Sequence, residues 1–235
     1  MDQTRNSKQR TDRNGRAYAG SQRRIQTYVN FRRDALNRAL LAAIPDFPAD
    51  GKIVWASPLE KDNYAEYQDK AFLEALGFAH LWDRLQGFWP RRGPVWDALA
   101  RIENQDSGRA EGVILVEAKS HVNEVYGNGC QASPKSGKLI DKALSEVKNF
   151  LGASPEADWT GQLYQSANRI AHLYFFREIC RAPAWLVNVY FTGDPKSPTP
   201  AEAWAEHLPG MKNELGINGL AVEGLVELVL PAPGE

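Results

Sequence analysis

The chain has 235 residues, 43% hydrophobic and 24% charged, which is ordinary for a globular protein and enough for one large domain with a substantial core. No apolar run approaches the length that crosses a membrane, and no signal-peptide pattern is visible. Cys130 and Cys180 lie far apart in no CxxC arrangement, which argues against a disulfide framework and predicts free thiols in a reducing, cytoplasmic setting.

The net charge of −1 hides an asymmetry: up to Arg38 there are ten basic residues against three acidic, leaving −8 for the remainder. Residues 1–20 are polar, basic and poor in apolar side chains, so they read as a disordered arm that either neutralises phosphates or solubilises the chain. Residues 21–235 read as a single α/β domain with a helical N-terminal extension. Ser21 caps a helix over 22–43, where Ile25, Tyr28, Val29, Leu36 and Leu40 give an imperfect stripe, and Pro45 and Pro48 stop it. Lys52 to Ala56 predicts a short strand. A second helix follows over Asn63–Leu76, ended by Gly77. The aromatic stretch 78–92, with Trp82, Phe88 and Trp89, reads as core, with a base-stacking surface as the alternative.

The central stretch is Val95 to His121. Val113 to Val116 form a β-branched and aliphatic run that predicts a buried strand, and Glu117 and Lys119 follow on one face with Ala118 on the other. Upstream, alternation places Val95, Asp97, Leu99 and Arg101 on one face and Trp96, Ala98, Ala100 and Ile102 on the other. Asn104 to Gly112 supplies Asn, Asp, Ser and two Gly, which is turn chemistry. The hairpin so formed brings Asp97 beside Glu117 and Lys119, and two carboxylates with an ammonium at one strand end are costly without a task or a metal. The other reading is an exposed hairpin with solvated charges.

Beyond the hairpin, 125–137 is a Gly, Ser, Asn and Pro loop, and 138–151 is a helix with Leu139, Ile140, Ala143, Val147 and Phe150 inward. The stretch Ala132 to Leu139 approaches a phosphate-binding loop, but Leu139 stands where Ser or Thr should hold Mg²⁺, and no acidic Walker B strand follows. Lys135 and Lys138 read instead as phosphate contacts or surface charge. A longer helix spans Gln162–Arg181, where Gln165, Arg169 and His172 share a face. His172 is a general-acid candidate whose simpler reading is a hydrogen-bonded core histidine. Trp185 to Phe191 is a buried strand, Thr199 and Glu202 form a capping box for a helix over 200–208, and Leu225 to Leu230 is a final edge strand. His80, His121, His172 and His207 are scattered, which argues against a zinc site, and no nucleophile elbow appears.

The set Asp97…Glu117-Ala118-Lys119 resembles the PD-(D/E)xK nuclease superfamily, over roughly residues 60 to 192. Trp96 precedes Asp97 where that family has proline, and the nearest proline is Pro94. The resemblance implies an α/β fold with a mixed central sheet flanked by helices, as in the restriction-endonuclease core. It implies that Asp97, Glu117 and the Ala118 carbonyl bind Mg²⁺ or Mn²⁺, a hard ion that prefers oxygen, while Lys119 serves the attacking water. A helical Glu near the metal is implied too, taken as Glu74 with Glu66 as the other candidate. Gln165 is expected to assist catalysis, and Arg169, Lys135 and Lys138 to contact phosphate. The expected partner is nucleic acid, DNA ahead of RNA, with a homodimer admitted. The alternative is a non-catalytic nucleic-acid-binding or protein-interaction module on the same fold.

Overall fold

The computed structural model describes residues 10–44 and 46–234. The fold is α/β. One five-stranded mixed sheet, in the order β1-β2-β3-β4-β5, carries helices on both faces. Its strands are β1 (Gly51–Ser57), β2 (Ala98–Asn104), β3 (Ala110–Lys119), β4 (Ala184–Thr192) and β5 (Leu225–Pro231). The first three pair antiparallel, and β3-β4-β5 pair parallel. Parallel neighbours need long crossovers, which are supplied by α5 (Pro134–Leu151) with α6 (Tyr164–Tyr174) and then by α7 (Ala201–Glu214).

Helices α1 (Gly20–Phe31) and α2 (Arg33–Ala43) bury Ile25, Tyr28, Val29, Leu36 and Leu40 against Ala98, Ala100, Ile114 and Val116 on one sheet face. The opposite face, with Leu99, Val113 and Leu115, packs against α3 (Asp69–Leu76), α4 (Trp82–Phe88) and the crossover helices. Both faces of the sheet are thus covered, which is why β3 and β4 read as continuous apolar runs.

Several boundaries depart from the sequence expectation. The helix expected over 22–43 breaks at Arg32 (φ −134°, ψ 33°), where the apolar stripe gives way to two exposed arginines. The expected arm 1–20 lies outside the described residues only for 1–9. Thr11 bridges Ala17, and buried Ala17 donates its N–H to Gln26. The helix expected from Asn63 begins only at Asp69, because Asn63 and Tyr64 adopt left-handed backbone and Tyr67 spends its carbonyl on the Trp96 N–H. Helix α5 starts four residues earlier than expected, with Ser133 as cap and Pro134 in its first turn. Thr199 does not cap α7: its hydroxyl donates to the Ser120 carbonyl, tying the end of β4 to the end of β3. Cys130 and Cys180 are both free. No helix among the described residues is long and apolar enough to cross a membrane.

Candidate active site

The hairpin register decides the site. Ala98 pairs with Val116 and Leu99 with Leu115, so one step further out Asp97 lies opposite Glu117. Period-2 geometry carries the inward face of β3 from Val113 and Leu115 to Glu117 and Lys119, where the apolar layer ends. Ala118, fully buried, points into the other layer. Its N–H donates to Asp97 Oδ2 at 2.7 Å and fixes that carboxylate just before β2 begins. The cluster therefore sits at the C-terminal end of the parallel pair β3-β4, beside Asn188 and Tyr190, the end where open α/β sheets bind ligands.

Helix α6 closes the site from above. Gln165 and Arg169 stand one turn apart and both reach Glu117. Glu117 Oε1 accepts from Lys119 Nζ at 2.5 Å and from Gln165 Nε2 at 2.7 Å, and Oε2 accepts from Arg169 Nε at 2.7 Å. Lys119 Nζ also donates to Gln165 Oε1 at 2.9 Å. Arg169 donates further to the Val95 carbonyl and to Asn168, and its guanidinium lies 4.8 Å from the centre of the Trp96 ring. Trp96 therefore belongs to the layer beneath the site, not with Ala98 and Ala100 as alternation predicts, because regular β2 starts after it.

The two carboxylates behave oppositely. Burial pushes the Glu117 carboxyl up, but the charges and hydrogen bonds of Arg169 and Lys119 outweigh it and hold it below the usual carboxylate range. Asp97 is pushed up, first by desolvation and then by the Glu117 charge, against weaker help from Lys119, the Ala118 N–H and Arg169. Pairs whose affinities are driven apart in this way occur at functional centres and in structural ion-pair networks alike. A stability prediction follows. Native Asp97 holds its proton more tightly than the unfolded chain does, so folding takes up a proton between the ordinary value of 3.8 and the raised one. Stability then falls as pH rises through that window. Thermal unfolding in EDTA from about pH 5 to 9 should show this decline in the wild type. In Asp97→Asn, whose amide still accepts the Ala118 N–H, the decline should shrink. An identical pH slope in both proteins would refute the assignment.

The remaining predicted residues divide clearly. Glu74 is exposed on α3, where it pairs with Lys70 at 3.2 Å. Glu66 accepts from Gln22 Nε2 at 2.9 Å, and its carboxyl is raised by burial, against the Gln22 hydrogen bond, and further by the Glu117 charge. Lys135 and Lys138 are exposed in the first two turns of α5, with no hydrogen bond to the cluster among the described residues. His172 is a core residue: it is 1% exposed, its Nδ1 lies 2.7 Å from the Asn168 carbonyl, and Phe72, Trp89 and Trp96 surround its ring. Burial pushes its pKa down to about 3, so it is neutral and unsuited to donate a proton. Gln22 and Trp96 escaped the sequence reading. Neither carries a local signal, since one acts from α1 and the other through a ring stacked under Arg169.

Among the described residues no group of three or more His, Cys, Asp or Glu side chains forms a metal cage. Two carboxylates suffice for Mg²⁺, which keeps several waters and borrows substrate phosphate oxygens. The oxygen-only donor set of Asp97 and Glu117, with one carboxyl raised by burial and by the charge of the other, fits such an ion. Comparison with family models, with curated proteins and with solved structures finds no match.

Proposed function

We propose that this protein is a divalent-metal-dependent nuclease that hydrolyses phosphodiester bonds in nucleic acid, DNA first. The observation that carries the reading is the placement of Asp97 across the hairpin from Glu117, with Lys119 two residues on and on the same face. Asp97 and Glu117 would hold Mg²⁺ or Mn²⁺. A strand residue turns its N–H and C=O to the same neighbour, so the Ala118 carbonyl shares the side of Asp97 and would complete the set. Glu66, rather than Glu74, is the acid suited to a water-mediated contact. When bound, the ion supplies Lewis-acid polarisation of the phosphate and a lowered pKa for a coordinated water.

The chain's own groups do the rest. Lys119 Nζ, held between Glu117 and Gln165, orients the attacking water and stabilises charge that develops on phosphate. Gln165 keeps that ammonium in place. Arg169 anchors Glu117 through Nε and keeps the carboxylate ionised. Val113, Leu115 and Trp96 beneath the cluster exclude water from below, which strengthens each of these interactions.

A second reading has one observation in its favour. Both Glu117 oxygens are already engaged by Lys119, Gln165 and Arg169, a closed network that suits a non-catalytic module. Calorimetric titration of Mn²⁺ into wild type and Asp97→Ala separates the two readings, with both proteins then incubated with linear and circular nucleic acids. The nuclease reading expects wild-type binding and cleavage, both lost in the variant. Equal behaviour of the two proteins would sink it.

A further inference from the structure

Resting on the nuclease reading above, we infer that the substrate is a single strand, guided to the centre by a cleft between the start of α1 and the loop after β4. The cleft has a volume of about 720 Å³, within the ~300–1,000 Å³ of small-ligand sites. That is room for the base and sugar of an extended strand. Arg10, Tyr18, Ser21, Gln22, Glu124 and Lys196 line it.

Two of these residues connect the cleft to the centre. Gln22 donates to Glu66, whose carboxyl feels the Glu117 charge. Glu124 accepts from the N–H of Ser120, the residue after Lys119, at 3.3 Å. The cleft wall thus meets the chain at the residue after Lys119, and a strand leaving the cleft past Glu124 is directed toward the end of β3.

Tyr18 is 60% exposed, more than any other large hydrophobic side chain among the described residues. An aromatic ring held open on a cleft wall stacks on a base that has left its partner, whereas duplex bases are already stacked within the helix. Arg10 and Lys196 are exposed and enter no ion pair among the described residues, so both are available to phosphate. Glu124 is the one acid on the wall, and its Oε2 is turned to the Ser120 N–H. The centre itself is recessed, with Glu117 only 6% exposed. A slender strand reaches such a site with less rearrangement than a phosphate carried on a rigid cylinder. The combination of a basic track, a stacking ring and a recessed centre is that of single-strand recognition.

The test is fluorescence anisotropy in EDTA, with labelled short oligothymidylate, oligouridylate and a blunt duplex of the same length. The wild type should bind the single strands at least about tenfold more tightly than the duplex. Tyr18→Ala should weaken single-strand binding by about tenfold, and Tyr18→Phe should restore it. Arg10→Ala and Lys196→Ala should each reduce the slope of log affinity against log salt by roughly 0.7. Glu74→Gln, on the exposed side of α3, should bind single strands as the wild type does. Equal affinity for strand and duplex, no binding of single strands, or an unchanged Tyr18→Ala protein overturns the inference. Because binding is read without metal, the two readings fail separately: single-strand binding without cleavage would remove the nuclease reading and leave the strand-binding cleft.

Discussion

Lys119→Met is expected to leave Mn²⁺ binding intact while lowering cleavage by about a thousandfold, within the range of 10²–10⁴ for a lost acid-base group. The geometry separates the two effects. Lys119 touches no metal-binding oxygen except Glu117 Oε1, which it neutralises at 2.5 Å. Removing the ammonium leaves that oxygen with the Gln165 amide alone and deletes a competing positive charge, so ion affinity should hold or rise. What disappears is the cluster's only ammonium among the described residues, the group that on the nuclease reading orients the water. Glu117 stays ionised in the variant because Arg169 still donates to Oε2 at 2.7 Å. Lys119→Arg should not rescue cleavage, since a planar guanidinium cannot take the place of a compact ammonium between Glu117 and Gln165. Calorimetry for the ion and single-turnover cleavage for the chemistry read the two effects apart. Loss of Mn²⁺ binding in Lys119→Met would mean that the lysine organises the carboxylates rather than serving the water.

The contrast between Asp97 and Glu66 shows how far the chain could be read in advance. Asp97, Glu117 and Lys119 follow from local rules: a two-residue period, a turn rich in Asn, Asp, Ser and Gly, and an apolar run. Gln165 and Arg169 follow from helical spacing, which places them one turn apart whatever lies opposite. Glu66 does not follow from such rules. Its segment has the composition of a helix start, yet it is kept out of the helix by a backbone bond from the Trp96 N–H to the Tyr67 carbonyl, 29 positions apart in the chain. With α3 delayed to Asp69, Glu66 takes the Gln22 amide as its partner and Glu74 stays outside with Lys70. Thr199 fails the capping box for the same kind of reason, because the Ser120 carbonyl at the end of β3 competes for its hydroxyl. The bulk of the sheet was legible because each strand carries its own apolar record. The contacts that join different elements were not, because each depends on a partner that no local window contains.

Asp194→Asn is expected to destabilise the protein by about 3–5 kcal/mol, the usual cost of leaving one member of a buried ion pair alone. Asp194 is 1% exposed and Arg24 is 4% exposed, with Arg24 Nε 2.9 Å from Asp194 Oδ2. Asparagine keeps the size and an acceptor but abandons a buried guanidinium. The pair matters beyond its own energy, because it pins α1 to the end of β4. Arg24 also donates to the Pro233 carbonyl, and Tyr28 donates to that of Pro231 while stacking on Phe191 at 5.7 Å. Loosening this attachment shifts Gln22 and hence Glu66, so the variant should also lose part of its activity at temperatures where it remains folded. The pH dependence has a definite sign. Burial pushes the Asp194 carboxyl up, but hydrogen bonds from Arg24 and the Lys196 N–H, with the Arg24 charge, hold it below its usual value of 3.8. Its contribution is therefore complete above that value and is lost as pH falls through the depressed one. Chemical denaturation should show wild type and variant far apart at neutral pH and converging in acid. The double replacement Arg24→Met with Asp194→Leu should recover most of the neutral-pH loss, because an apolar pair leaves no charge stranded. A single variant as stable as the wild type at neutral pH would show that α1 is held by its apolar face alone.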